Sequence, residues 1–309
     1  MVHTGTKDYF RQFMTAMMSL AYLLLINWRH GMEIEMTKEK SKAEPSALKG
    51  TSVLMMLTSL LALYASIAGI FTEGIYRELI PTKAITEYLI LGSVVQDIIT
   101  VPVSIALFIS SFIYIKGKDR RVLTTMAGLV SYIFYGYALF SIQGQYTSLY
   151  LIYLVIFGAS AYGLMFIVPR LIHMSSFTEV PRRLRRGIAG FLLLILAVLV
   201  PVWIMRMQPD IANRAPGELY GVFVLDLAVV FPAFGIIAFN LIRNNAAIDL
   251  LTGAALVKVF TLCLSVGLGE FIKPSFGFSQ DMAMTVIFIT LTIVSAIFSV
   301  LIFRRLKAD

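Results

Sequence analysis

Residues 89–115 read LILGSVVQDIITVPVSIALFISSFIYI, with Glu87 shortly before them and Lys116 directly after. Twenty-seven residues in helical form cover about 40 Å, more than the ~30 Å of a hydrocarbon layer. Inside the stretch stands one charged residue, Asp97. A barrel strand would instead alternate polar and apolar side chains over about 10 residues, and this stretch does not. It reads as a transmembrane helix with a carboxylate built into it.

Seven further apolar stretches lie along the chain, at residues 52–71, 122–142, 149–169, 187–205, 219–242, 250–269 and 282–303. The whole is 58% hydrophobic and 14% charged, where a soluble domain carries about 25% charge. The expected fold is all-α: a polytopic transmembrane bundle of about eight spans joined by short connections. Cys263 is the single cysteine among 309 residues and there are three histidines. That excludes a disulfide framework and argues against a metal centre; the composition names no cofactor. The net charge of +8 would raise nucleic acid in a soluble chain. Here the basic residues flank apolar runs, where they orient helices and touch anionic lipid, so the bilayer is the expected partner, with a small solute or ion and no nucleic acid.

Alternate connections differ sharply in basic content. One set holds Lys38, Lys40, Lys42, Lys49, Lys116, Lys118, Arg120, Arg121, Arg170, Arg182, Arg183, Arg185, Arg186, Arg243, Arg304, Arg305 and Lys307. The other holds Arg77, Lys83, Arg206, Arg214 and Lys273. The richer set belongs in the cytoplasm, which puts the bundle's N-terminal end and the C-terminus inside a cell membrane. Eight spans require the same parity. Phe13–Ile26 is apolar but short for a span, and reads as an interfacial segment or an extra helix. Residues 1–50 thus form that segment and a polar linker. Residues 51–172 form four helices, 173–186 a basic cytoplasmic loop, and 187–309 four more.

The two sets of four echo each other. Gly92…Asp97…Pro102 corresponds to Gly221…Asp226…Pro232, Ala127-Gly-Leu-Val130 to Ala254-Ala-Leu-Val257, and Val155-Ile-Phe157 to Val286-Ile-Phe288. An even number of spans per unit makes the repeat parallel, a plan some transporters use with the site between halves.

Three charges fall inside spans. Counted along their helices, Asp97 lies ~12 Å, Asp226 ~10 Å and Lys258 ~12 Å from the nearer end. Facing lipid, each would cost about 2.5–3.5 kcal/mol, so each is expected to face the bundle interior. The reading is a proton, ion or substrate site, with Gln96, Asp97, Asp226 and Lys258 as candidates; the bland rival is a set of interhelical locks. Asp226 is expected ~10 Å further outward than Lys258, and the lysine leans inward. Direct contact would need tilt, a kink or a bridging water. Pro102 and Pro232 each remove a backbone hydrogen bond and are hinge candidates. Tyr132 and Tyr135 could line a polar cavity. Tyr146, Tyr150 and Tyr153 suit an interfacial belt, Trp203 and Arg206 suit interface anchors, and Glu270 suits a solvated helix end. Arg182, Arg183, Arg185 and Arg186 are candidates for lipid-headgroup contact.

The segments Gly92…Gln96-Asp97…Pro102, Ser131-Tyr-Ile-Phe-Tyr135-Gly-Tyr137, Tyr150–Phe157, Leu225-Asp226…Pro232 and Leu256-Val-Lys258 resemble a family of uncharacterised prokaryotic eight-helix membrane proteins. The resemblance spans about residues 50–305, and residues 1–35 have no counterpart. It implies the topology and the interior polar residues, and it implies no activity. From the residues alone, a transporter or solute-binding bundle is expected. A structural subunit and an enzyme acting on a lipid-linked substrate are the rivals. The enzyme is disfavoured by the lack of paired histidines, a nucleophile elbow or an acidic metal cluster.

Overall fold

The computed structural model describes residues 44–72, 74–80, 86–117, 119–175 and 180–306; the apolar segment 13–26 lies outside them. Among the described residues there is no strand, and eight helices are long and apolar enough to cross a membrane. They are α1 (Glu44–Phe71), α2 (Glu87–Gly117), α3 (Arg120–Ile142), α4 (Tyr150–Met174), α5 (Arg182–Asn213), α6 (Tyr220–Ile242), α7 (Asp249–Ile272) and α8 (Met282–Phe303). The chain is a multi-pass membrane protein.

Three helices differ in extent by five residues or more from the sequence expectation, and one of them, α4, runs on to Met174. α1 begins at Glu44, inside the stretch read as linker. Pro45 falls in its first turn, where a missing N–H costs nothing and the fixed φ suits a helix. α5 begins at Arg182 and runs to Asn213. Pro181 stands at its N-cap, so the arginine cluster is the helix's first turns and not a loop.

α3 and α7 form the centre: 72% and 67% of their most apolar windows are buried, against 17% for α8. α1 pairs with α2 and α4, and α3 with α2 and α4; in the other half α5 pairs with α6 and α7 with α8. The halves meet where α7 lies against α3 and α2. Apolar side chains on the periphery, such as Leu151, Met165 and Phe166 on α4 and Val286, Ile293 and Ile297 on α8, stay exposed. This is the pattern expected when the surrounding solvent is lipid.

Close approach at the centre depends on glycine. A Cβ on Gly128 would stand 2.5 Å from Val257 Cβ and 2.8 Å from the Ala254 carbonyl oxygen. Small residues let helix backbones approach in a membrane, where packing rather than hydrophobic burial holds helices together.

The end of the bundle carrying Arg120, Arg121 and Arg182–Arg186 is closed by polar ties. Asp119 caps α3 by accepting from the Arg121 N–H at 2.6 Å. The Arg121 side chain donates to the Leu306 carbonyl at 2.5 Å. Arg185 is buried and forks onto Asp249 at the start of α7, with bonds of 2.8 and 2.5 Å. It therefore cannot serve the headgroup contact expected of it, because both arms of its guanidinium are turned inward. Arg182, Arg183 and Arg186 remain exposed.

Gly128→Ala is expected to wedge α3 from α7 and cost about 1–3 kcal/mol. Gly158→Ala, with nothing within 4 Å of the new Cβ, should leave thermal unfolding in nanodiscs unchanged or raise it. In a double-mutant cycle, Arg185→Ala and Asp249→Ala should each cost about 3 kcal/mol. The double variant should cost clearly less than the sum.

Candidate functional site

Opposite the arginine-rich end, a cavity of about 290 Å³ descends between the halves. Its walls come from α2 and α3 on one side and α5, α6, α7 and the start of α8 on the other. The lining is mostly apolar, with Leu262, Phe231, Phe234 and Phe288 among its members. Exposed Arg206 and Asp281 stand at its rim, and Lys258 lies near its base.

Lys258 sits nine residues into α7, near the middle of the span. It is 6% exposed. Among the described residues its Nζ has no hydrogen-bond partner. It rests 4.6 Å from the centre of the Tyr135 ring and 5.6 Å from that of Phe234. Cation–π attraction is worth about 2 kcal/mol when desolvated, which offsets part of the cost of burying the ammonium.

Asp226 faces the same cavity from α6. The Trp203 indole N–H donates to its Oδ2 at 2.6 Å, and Tyr135 lies close enough to interact with it. No ion pair within 4.0 Å joins Asp226 to Lys258. α6 is locally unwound here: residues Asp226–Val230 form a π-helical turn, closed by the Phe231 N–H on the Asp226 carbonyl. Pro232 follows directly and has no N–H to give. A π turn widens the helix by one residue and recurs at functional positions. Pro102, by contrast, stands in an unbroken helix.

Asp97 lies elsewhere. Its carboxylate is 2% exposed and turns toward α1, away from the cavity. Tyr76, in the connection between α1 and α2, donates to its Oδ2 at 2.5 Å. A Cβ on Gly69 would meet that oxygen at 1.9 Å, so the acid lies against bare backbone. Gly69 is two residues from the end of α1. The acid is therefore deep along α2 and shallow along α1, covered by Tyr76 from a connection in which Ile75 and Leu79 are also buried. Burial, and then the Asp97 charge, push the Tyr76 phenol above its ordinary pKa, so it keeps the proton it donates. The Tyr137 hydroxyl meets Ser66 at 3.2 Å and the Ala62 carbonyl at 3.1 Å, extending this network down α1.

Of the residues singled out in the sequence, Gln96, Tyr135, Asp226 and Lys258 line one cavity. Gly136 makes room for the Gln96 amide, which a Cβ there would meet at 2.6 Å. Tyr132 stays behind the wall and donates to the Gln96 carbonyl at 3.2 Å. Three expectations are corrected. Trp203 is not an interface anchor, because its N–H serves Asp226. Glu270 is not solvated: it is buried at the cavity wall and holds Lys273. Tyr153 is fully buried against Tyr137 and Phe140, while Tyr146 stays exposed. Sequence reading missed Tyr76 and Gln145, which carry no local signature; Gln145 receives the Ser93 hydroxyl at 3.4 Å.

No family model, no curated protein and no solved structure matches this chain. Among the described residues no group of three or more His, Cys, Asp or Glu could hold a metal ion.

Trp203→Phe and Tyr76→Phe each remove one donor from a buried carboxylate. Each is expected to lower stability by about 1.5–3 kcal/mol, followed by far-UV circular dichroism during heating. Asp97→Asn should largely cancel the effect of Tyr76→Phe.

Proposed function

We propose that the protein is a cell-membrane transporter, or a solute-binding bundle, which receives a small solute in the cavity between its halves. Lys258 carries this reading. A buried ammonium without a hydrogen-bond partner is costly, and it opens onto a cavity that a ligand can fill. Asp226, held by Trp203, and the amide of Gln96 complete the polar lining at the same site. Ligand sites of this kind are mostly apolar with a few convergent polar groups.

The plan of the bundle supports the same reading. The pairing of α1 with α2 recurs as α5 with α6, and that of α3 with α4 as α7 with α8. The halves touch through their third helices, at Gly128 against Ala254 and Val257, within the two stretches that echo each other in sequence. A parallel four-plus-four repeat would put the cavity at the interface where such transporters bind. With the arginine-rich end and the C-terminus cytoplasmic, the cavity faces outward and the Arg185–Asp249 pair seals the inner side.

A structural lock is the second reading, favoured by the contact of Lys258 with Tyr135 and Phe234. Lys258→Met separates the two. For a ligand site, the wild type in nanodiscs carries a bound mass in native mass spectra that the variant lacks, whatever the unfolding temperature of the variant. For a lock, the variant unfolds at lower temperature and neither protein carries a mass.

A further inference from the structure

Resting on that reading, we infer that the solute is a small zwitterion with an apolar body, of the amino-acid type. Two opposite charges face the deep part of the cavity, Lys258 and Asp226, and neither neutralises the other by direct contact. Elsewhere around the cavity the charges are paired or capped: Glu270 holds Lys273 through Oε1, its Oε2 alone lacking a partner among the described residues, Asp281 caps α8 by accepting from the Met284 N–H, and Arg206 lies over the Trp203 ring. Among the buried charges lining the cavity, Lys258 and Asp226 are thus the two outside an ion pair, one cation and one anion set apart.

A ligand with a single charge would satisfy one of these groups and leave the site with a net charge in a low-dielectric layer, which is costly. A zwitterion satisfies both. Its carboxylate accepts from the Lys258 ammonium, which brings three donors and no acceptor. Its ammonium donates to Asp226, whose carboxylate has about four lone-pair sites and gives one to Trp203. The complex then stays neutral. Around this pair the walls are Tyr135, Val230, Phe231, Phe234, Leu262 and Phe288, which suit an aliphatic or aromatic side chain. A volume of about 290 Å³ lies at the small end of ligand cavities, so it fits one such molecule rather than a peptide.

The test uses the full chain in nanodiscs and reads thermal stabilisation and calorimetric binding. Leucine and phenylalanine are each compared with the acid lacking the amino group and the amine lacking the carboxylate. At least one amino acid is expected to bind, and to bind about tenfold or more tightly than either of its one-charge analogues. Lys258→Met should lose that amino acid and gain relative affinity for the amine; Asp226→Asn should lose it and gain relative affinity for the acid. An acid that binds as tightly as its amino acid, unaffected by Asp226→Asn, would overturn the zwitterion and leave the cavity as an anion site. No binding by any probe would also overturn it, while a mass lost in Lys258→Met would still support a solute site of other chemistry. Absence of both would remove the site itself.

Discussion

A carboxylate taken into a membrane-spanning bundle must find its donors within the protein or in a cavity that it lines. Asp97 and Asp226 meet this constraint from different directions. Asp97 is served by a tyrosine hydroxyl from the α1–α2 connection. Asp226 is served by an indole from the middle of a neighbouring helix. The first solution covers its acid with Tyr76; the second leaves the acid at a cavity wall. Much of the difference between the two halves follows from that choice.

Space for polar side chains is made by omitting others. Gly69 admits the Asp97 carboxylate, Gly136 the Gln96 amide, and Gly221 the Gln143 side chain, each at a distance where a Cβ would collide. In a bundle held by close packing, such positions decide which side chains enter the interior. They also tie the halves together: Gln143 donates to the Glu218 carbonyl at 3.0 Å, and the Tyr220 hydroxyl donates to the Ile142 carbonyl.

The spans and their number were legible because length and apolarity are one-dimensional properties. The interior placement of Asp97, Asp226 and Lys258 was legible for a similar reason, since a charge within a span has nowhere else to go. The division between them was not. Gln96 and Asp97 are adjacent, and one helical step of ~100° sends one to the cavity and the other to α1. Which neighbour stands on which side is a matter of tertiary packing. Tyr76 illustrates the limit well: it lies in a connection, where sequence expects solvent, yet it covers a buried acid. Arg185 shows the converse, a member of a uniform basic cluster singled out by Asp249, which is 64 residues away.

The π turn at Asp226–Val230 gives α6 a stored residue, like a thread cut with one pitch coarser than the rest. Restoring α geometry there would turn the Tyr220–Leu225 section by roughly 100° about its axis and draw it along by roughly 1.5 Å. Asp226 sits at the junction, so its bond to Trp203 holds this screw in place. The chemistry at the cavity wall and the rotational setting of α6 are therefore one variable.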